Sequence, residues 1–258
     1  MMKMEAYTPT AVLQPFIKAY KIIESEDELL NRVIPNTSFA IAFRFKGQIA
    51  YLDDAGKTVL PAAVFSGLRK SVRLINYAAQ TGALIIQFQE TGVAAFFKQP
   101  LHELFEESVA LDHFFLQSEM SRIEERLAEA EDNRSRIDIV EQFLCTKLLP
   151  HKPDQLVSEA IAKIYSTNGV LKINELAKDL FISNDAFEKR FRKVVGASAK
   201  QFSSILKIKT IIDQNPNPSS FIAIALESGY YDQPYFNKDF KLFTGQTPTD
   251  FFKSRLYW

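Results

Sequence analysis

Two stretches of the chain carry amide and charged side chains at helical spacing, on faces suited to the edges of nucleic-acid bases. Asn184, Asp185, Glu188, Lys189, Arg192 and Lys193 share one outer face, and Gln233, Pro234, Tyr235, Asn237, Lys238 and Lys241 share another. Amides and cations can bond base edges in a major groove, a carboxylate can accept from cytosine N4, and Lys and Arg neutralise phosphates. The inner faces match as well. Phe187, Phe191, Gly196 and Phe202 fall at steps of four, five and six, and Phe236, Phe240, Gly245 and Phe251 repeat those steps 49 residues later.

The flanking residues predict how these faces are held. In the first copy, Ile173, Leu176, Ala177 and Leu180 form one apolar face, and Ser183 is placed to N-cap a second helix. Phe187, Phe191 and Val194 line that helix's inner face, Gly196 ends it, and Ser198 caps the next. In the second copy Ile222, Ala225 and Leu226 are expected to face inward, with Gly229 at the turn. Asp232 caps a helix with Pro234 in its first turn, where a missing N–H costs nothing. Phe236, Phe240 and Phe243 pack inward, Gly245 stops the helix, and Thr247 caps the next. Two helices, a tight turn and a second helix with one face buried make a helix–turn–helix pattern. Two such units, their second helices about 34 Å apart, would meet successive turns on one face of a duplex. The plainer alternative is that both outer faces are merely solvated and both Phe stripes merely core.

The rest of the chain sets these units in context. Its 258 residues suit two domains, and 47% hydrophobic and 24% charged content suits a globular protein. The formal net charge of zero hides a split: residues 1–150 hold 16 Lys+Arg against 20 Asp+Glu (−4), and residues 151–258 hold 15 against 11 (+4). Residues 37 to about 90 alternate as strands, with Lys46-Gly47 as a turn, and predict an antiparallel sheet or small barrel. Two short helices divided at Pro100 follow, then longer ones over 118–131 and 134–149. The Pro-containing segment 148–155 marks the expected boundary between a ligand-sensing domain (1–150) and the helical domain (151–258). Helices are predicted near 155–166, 173–180, 184–195, 199–213, 220–227, 233–243 and 248–255, with a break at residues 215–218. The fold class expected is α+β: a barrel-like antiparallel domain with helices, then an all-α domain of two helix–turn–helix units.

Residues 155–255 resemble the C-terminal DNA-binding domain of the AraC/XylS family of bacterial transcription regulators. "IALESGYYDQPYFNKDFKLFTGQTPTDF" is close to that family's signature, and "INELAKDLFISNDAFEKRFRKVVGASAKQF" matches its first helix–turn–helix. The resemblance implies seven helices, a linker helix at about 199–213, and recognition helices at about 184–195 and 233–243. The family's base-contacting positions correspond to Asp185, Glu188, Lys189, Gln233, Pro234 and Lys238. Lys189 stands where arginine is common and lacks its planar fork. Asp185 and Pro234 also depart from the pattern, which leaves Gln233, Tyr235 and Asn237 as alternative readers. The first 115 residues resemble a sensor-like domain attached to such regulators.

Promoter DNA is therefore the expected partner, under the control of a small effector or protein partner at the N-terminal domain. Phe39, Phe43, Phe45, Tyr51, Phe65, Tyr77 and Phe88 are candidate lining for an apolar or mixed ligand, or else plain core. RNA polymerase and a second copy of the chain are further candidate partners. The copy would use the stripes of Met120, Ile123 and Leu127 and of Ile137, Val140, Leu144 and Leu148, unless these pack within the chain. A protein-interaction module that keeps the fold is the alternative function.

No cofactor, metal or enzymatic activity is expected. His102, His113 and His151 are scattered, Cys145 is expected in a buried helix face, and there is no phosphate loop or nucleophile elbow. The N-terminus lacks a signal-peptide pattern, no apolar run reaches membrane-spanning length, and a lone cysteine suits a reducing cytoplasm.

Overall fold

A computed structural model of the protein describes residues 2–215, 218 and 220–254. Pro216 and Asn217, in the expected mid-domain break, and Arg255, the expected end of the last helix, lie outside the described residues. The chain divides into two compact units. One gathers Met1–Asn31, Ser38–Gly67 and Leu74–Lys152, and the other gathers Arg32–Thr37, Leu68–Arg73 and Pro153–Trp258. Two short stretches of the N-terminal half thus belong to the second unit, which no composition shift signals.

The N-terminal half carries ten strands: β1 (Met2–Tyr7), β2 (Ile17–Ser25), β3 (Leu29–Val33), β4 (Ala40–Lys46), β5 (Ile49–Asp53), β6 (Gly56–Val59), β7 (Ala63–Ser66), β8 (Arg73–Tyr77), β9 (Thr81–Phe88) and β10 (Ser108–Ala110). They form a six-stranded sheet, ordered β1-β2-β9-β4-β7-β10, and a four-stranded sheet, ordered β3-β8-β5-β6. The antiparallel character matches the alternation. The barrel does not: among the described residues the strands close no cylinder, and three of them precede residue 37. Their partners explain both findings. β2 joins the sheet by pairing with β9, more than fifty residues away, and β1 is attached only through its antiparallel pairing with β2, across residues 8–16 rather than a tight turn. The Lys46-Gly47 turn is present, with Gly47 at φ +69°; a Cβ there would lie 2.5 Å from the Thr81 hydroxyl.

Register places alternate side chains in the core, with Ile22 opposite Leu84 and Ile41 opposite Ile86. Two helices follow, α1 (Gln117–Glu129) and α2 (Asn133–Lys147). Asp132 caps α2 by accepting from the Ser135 amide at 2.7 Å. Met120, Ile123 and Leu127 on α1 and Ile137, Val140 and Leu144 on α2 are buried, and α1 packs on α2 and β4. Apart from Leu148, which is half-buried, the stripes expected as a dimer contact are therefore covered within the unit. Cys145, expected in the buried face, is exposed; the 3.6-residue period turns it outward when Leu144 points in.

The second unit is helical: α3 (Gln155–Ser166), α4 (Ile173–Asp179), α5 (Asn184–Val195), α6 (Ala199–Gln214), α7 (Phe221–Glu227), α8 (Gln233–Thr244) and α9 (Pro248–Ser254). No helix among the described residues is long and apolar enough to cross a membrane.

Candidate nucleic-acid interface

The sequence repeat is a structural repeat. At the start of α5 the Ser183 hydroxyl accepts from the Ala186 amide at 3.3 Å, and at the start of α8 Asp232 accepts from the Tyr235 amide at 2.8 Å. Both helices end on a glycine at φ +77°, Gly196 and Gly245, whose amides bond Arg192 and Lys241 carbonyls. This left-handed geometry is free of a Cβ clash only for glycine. Ser198 and Gln201 then form a capping box on α6, and the Thr247 hydroxyl accepts from the Asp250 amide at 3.3 Å on α9.

Phenylalanine rings fix the faces. Phe187 lies 5.6 Å from Phe191, which meets Phe202 edge-on at 5.7 Å; Phe236 lies 5.5 Å from Phe240, which meets Phe251 edge-on at 5.3 Å. All six rings are fully buried. Three expected inward positions differ. Val195 is buried and Val194 only half-buried, since four residues beyond Phe191 is Val195. On α7, Ile224 and Ala225 turn inward, while Ile222 is 57% and Leu226 59% exposed.

With the inner faces fixed, the outer faces follow. On α5, Asn184, Asp185, Lys189, Arg192 and Lys193 are exposed and Glu188 is half-buried. Glu188 is engaged on both oxygens: Oε1 pairs with Arg192 Nε at 2.7 Å and Oε2 accepts from the Ala199 amide at 3.4 Å, bracing α5 against the start of α6. Arg190 reaches Asp154 at 2.6 Å, where Asp154 also caps α3 through the Val157 amide. Burial pushes the Asp154 carboxyl up, but Arg190 and that amide outweigh it and hold the group below its ordinary value. On α8, Pro234, Tyr235, Lys238 and Lys241 are exposed, and Gln233 and Asn237 are half-buried. Lys238 and Lys241 form no salt bridge among the described residues, so both remain available to an external anion.

The turns leading into α5 and α8 are not identical. In the first, Ile182 N bonds Ala177 O, and Phe181 sits at φ +54° with 98% of its surface exposed. In the second, Tyr230 N bonds Ala225 O, with Gly229 at φ +72° in the equivalent place and Tyr231 as an added residue. Tyr230 is buried under Lys207 of α6, whose ammonium lies 4.0 Å from the ring centre. Burial lowers the Lys207 value and raises that of Asp239 on α8, each opposed by the attraction between them. Sequence reasoning missed this link. Its one signal is a lysine among the apolar residues of "SSILKIKTII".

The seven aromatics expected around a ligand are not gathered on one cleft. Phe39, Phe43, Phe65 and Phe88 are fully buried, and Phe65 lies 5.4 Å from Phe39 and 4.4 Å from Phe97. Phe45 lies under the Arg136 guanidinium at 4.2 Å, and Tyr77 packs with Ile23, Ile49 and Ala83. The Tyr51 hydroxyl donates to Ser108 at 3.0 Å. A cleft of about 70 Å³ in this unit is lined by Pro61, Ala63, Met120 and Glu124 among others, and by none of the seven.

Comparison with known proteins follows the same division. Residues 176–254 match a family model described as a helix-turn-helix domain, and residues 5–110 match a domain of unknown function (DUF6597). No curated protein matches the chain. Among solved structures, unsaturated-fatty-acid-bound wild-type ToxT from Vibrio cholerae is 12% identical, with 98% of this chain and 99% of that one covered and a TM-score of 0.48. ToxT from Vibrio cholerae O395 is 10% identical, with 98% and 97% covered and a TM-score of 0.46. The C-terminal domain of AraT, a response regulator from Geobacillus stearothermophilus, is 19% identical over 42% of this chain and 92% of that one, with a TM-score of 0.38. The matched caps, the repeated Phe contacts and the helix-turn-helix model together identify residues 176–254 as a helix–turn–helix domain.

Proposed function

We propose that the chain is a sequence-specific DNA-binding transcription regulator whose two reading helices, α5 and α8, enter successive major grooves of promoter DNA. The observation that carries this reading is the duplication: two helices with the same caps, the same buried Phe pair and exposed cations on the opposite side. Cations there neutralise phosphates, and the polar N-terminal turns lie where base edges are read. Asn184, Asp185, Gln233, Pro234, Tyr235 and Asn237 are assigned to base edges, and Lys189, Arg192, Lys193, Lys238 and Lys241 to phosphates. Glu188 is assigned to bracing α5 instead. A single chain then spans two grooves without dimerising. Footprinting of the full chain on its own upstream DNA tests this. Protection of two patches one helical turn apart on one face is expected, and a single patch would remove one of the heads.

Control is assigned to the N-terminal domain, where a small molecule or partner shifts the population competent for two-groove binding. Coupling of about 1–3 kcal/mol would change affinity roughly 5- to 150-fold. Equal DNA affinities of the full chain and of residues 151–258, with and without candidate effectors, would remove this control. One observation favours a second reading, a protein-interaction module: Ile222 and Leu226, one helical turn apart on α7, face solvent. Phosphate contacts make affinity fall steeply with salt and apolar protein contacts do not, so salt dependence separates the two readings.

A further inference from the structure

The two reading helices differ most where a duplex would be read, and the inference drawn from this rests on the DNA-binding function proposed above. Setting Phe187 on Phe236 places Asp185 at the position of Pro234 and Ala186 at that of Tyr235. Lysine occupies the next outward position in both copies, Lys189 and Lys238, and distinguishes nothing. Glu188 stands at the position of Asn237, but its carboxylate is held by Arg192 and by the Ala199 amide. The recognition chemistry that separates the copies therefore lies in Asp185 on one side and in Pro234 and Tyr235 on the other.

These residues ask for opposite bases. An exposed carboxylate facing a polyanion is repelled unless it meets a donor, and the base donor suited to it is cytosine N4. Pro234 and Tyr235 offer exposed apolar surface; Tyr235 is 56% exposed, and its ring lies 6.0 Å from the Tyr230 ring between centroids. Apolar surface in a major groove is matched by the thymine methyl, and the amides Gln233 and Asn237 beside it suit adenine N6 and N7. We propose that α5 reads a half-site containing a G·C pair through Asp185, and that α8 reads a thymine-rich half-site through Tyr235 and Pro234. The operator is then asymmetric in composition, which fixes the direction in which the chain lies on it.

The test uses the full chain and duplexes it selects from a randomised pool. Selected sequences are expected to carry a recurrent cytosine in one half and a run of A·T pairs in the other, about one helical turn apart. Replacing thymine by uracil in the second half deletes only the methyl groups. Wild-type protein is expected to lose about fourfold in affinity per contacted methyl. Tyr235→Ala should lose most of the preference for thymine over uracil, leaving the part that Pro234 contributes, and Tyr235→Phe should keep it. Asp185→Ala should relax the cytosine in the first half and leave the second unchanged. G·C-rich selection in both halves, or equal wild-type affinity for thymine and uracil duplexes, overturns the inference while leaving DNA binding in place. Absence of any salt-dependent duplex binding overturns the proposed function itself.

Discussion

The two helix–turn–helix units are built on one plan and finished differently. Their inner halves agree closely: the same Phe–Phe contact, the same φ +77° glycine and equivalent caps. Their outer halves diverge. In the first unit charge is cross-linked within the protein, Arg190 to Asp154 and Arg192 to Glu188. In the second, Lys238 and Lys241 stand exposed beside apolar Pro234 and Tyr235. Packing admits few solutions to holding a helix at a fixed angle, so the frame repeats. The outer face answers to whatever it meets, so it does not. Exposed lysines stand on both outer faces, Lys189 and Lys193 on α5 and Lys238 and Lys241 on α8, and the first unit adds a bracing network around Asp154 and Glu188.

The strongest way to break the shared frame is to empty it. Phe240→Ala, and Phe191→Ala in the first unit, are each expected to cost about 3–5 kcal/mol, since both rings are fully buried and edge-packed. Urea unfolding checks this, and an unchanged midpoint for either would mean that its helix presents a different face. Next is the outer difference. Lys238→Ala with Lys241→Ala should leave unfolding unaltered and reduce the slope of log affinity against log salt by about 2. Lys193→Ala is expected to change it by about half that, and an equal or greater change would show that the first unit dominates phosphate contact.

A smaller effect tests the unequal turns. Phe181 holds a left-handed conformation that costs a side-chain-bearing residue about 1–2 kcal/mol, and glycine occupies the equivalent place in the second copy. Phe181→Gly recovers that strain but adds roughly 0.5–1 kcal/mol of backbone entropy. A net stabilisation of about 0.5–1 kcal/mol is expected in thermal unfolding, and a destabilised variant would show that the ring contributes within the fold. The smallest effect concerns acid. The Asp154 carboxyl is held below its ordinary value in the folded state, so its contribution is fully present above the unfolded value of about 3.9 and fades as pH falls through the folded one. Arg190→Ala should remove part of the stability lost below about pH 4. Identical pH profiles for variant and wild type would show that the pair contributes nothing.

Much of this was legible in the sequence where a residue type has one physical use. Ser183, Gly196, Asp232 and Gly245 act as caps because their chemistry fits few other roles, and the Phe stripes follow helical period. The α7 face was not legible, because "FIAIALE" is apolar nearly all round and gives no contrast from which to choose a side. Nor were β1 to β3, since β2 is anchored by β9 and β3 by β8, both far along the chain, and β1 joins only through β2. Candidate site residues were identifiable by position, but the engagement of Glu188 by Arg192 and Ala199 was not. A capping contact eleven residues away depends on how α5 meets α6. The aromatic strand residues show the same limit from the other side: the alternation that marks Phe39, Phe65 and Phe88 as inward-facing is common to ligand lining and to a filled core.

The most direct test of the account is the affinity of the full chain for its own upstream DNA, measured from about 50 to 200 mM salt. Two heads with exposed cations predict tight binding whose logarithm falls linearly and steeply with log salt. Binding that is weak and indifferent to salt would contradict the account and leave the apolar face of α7 as the surface through which the chain acts.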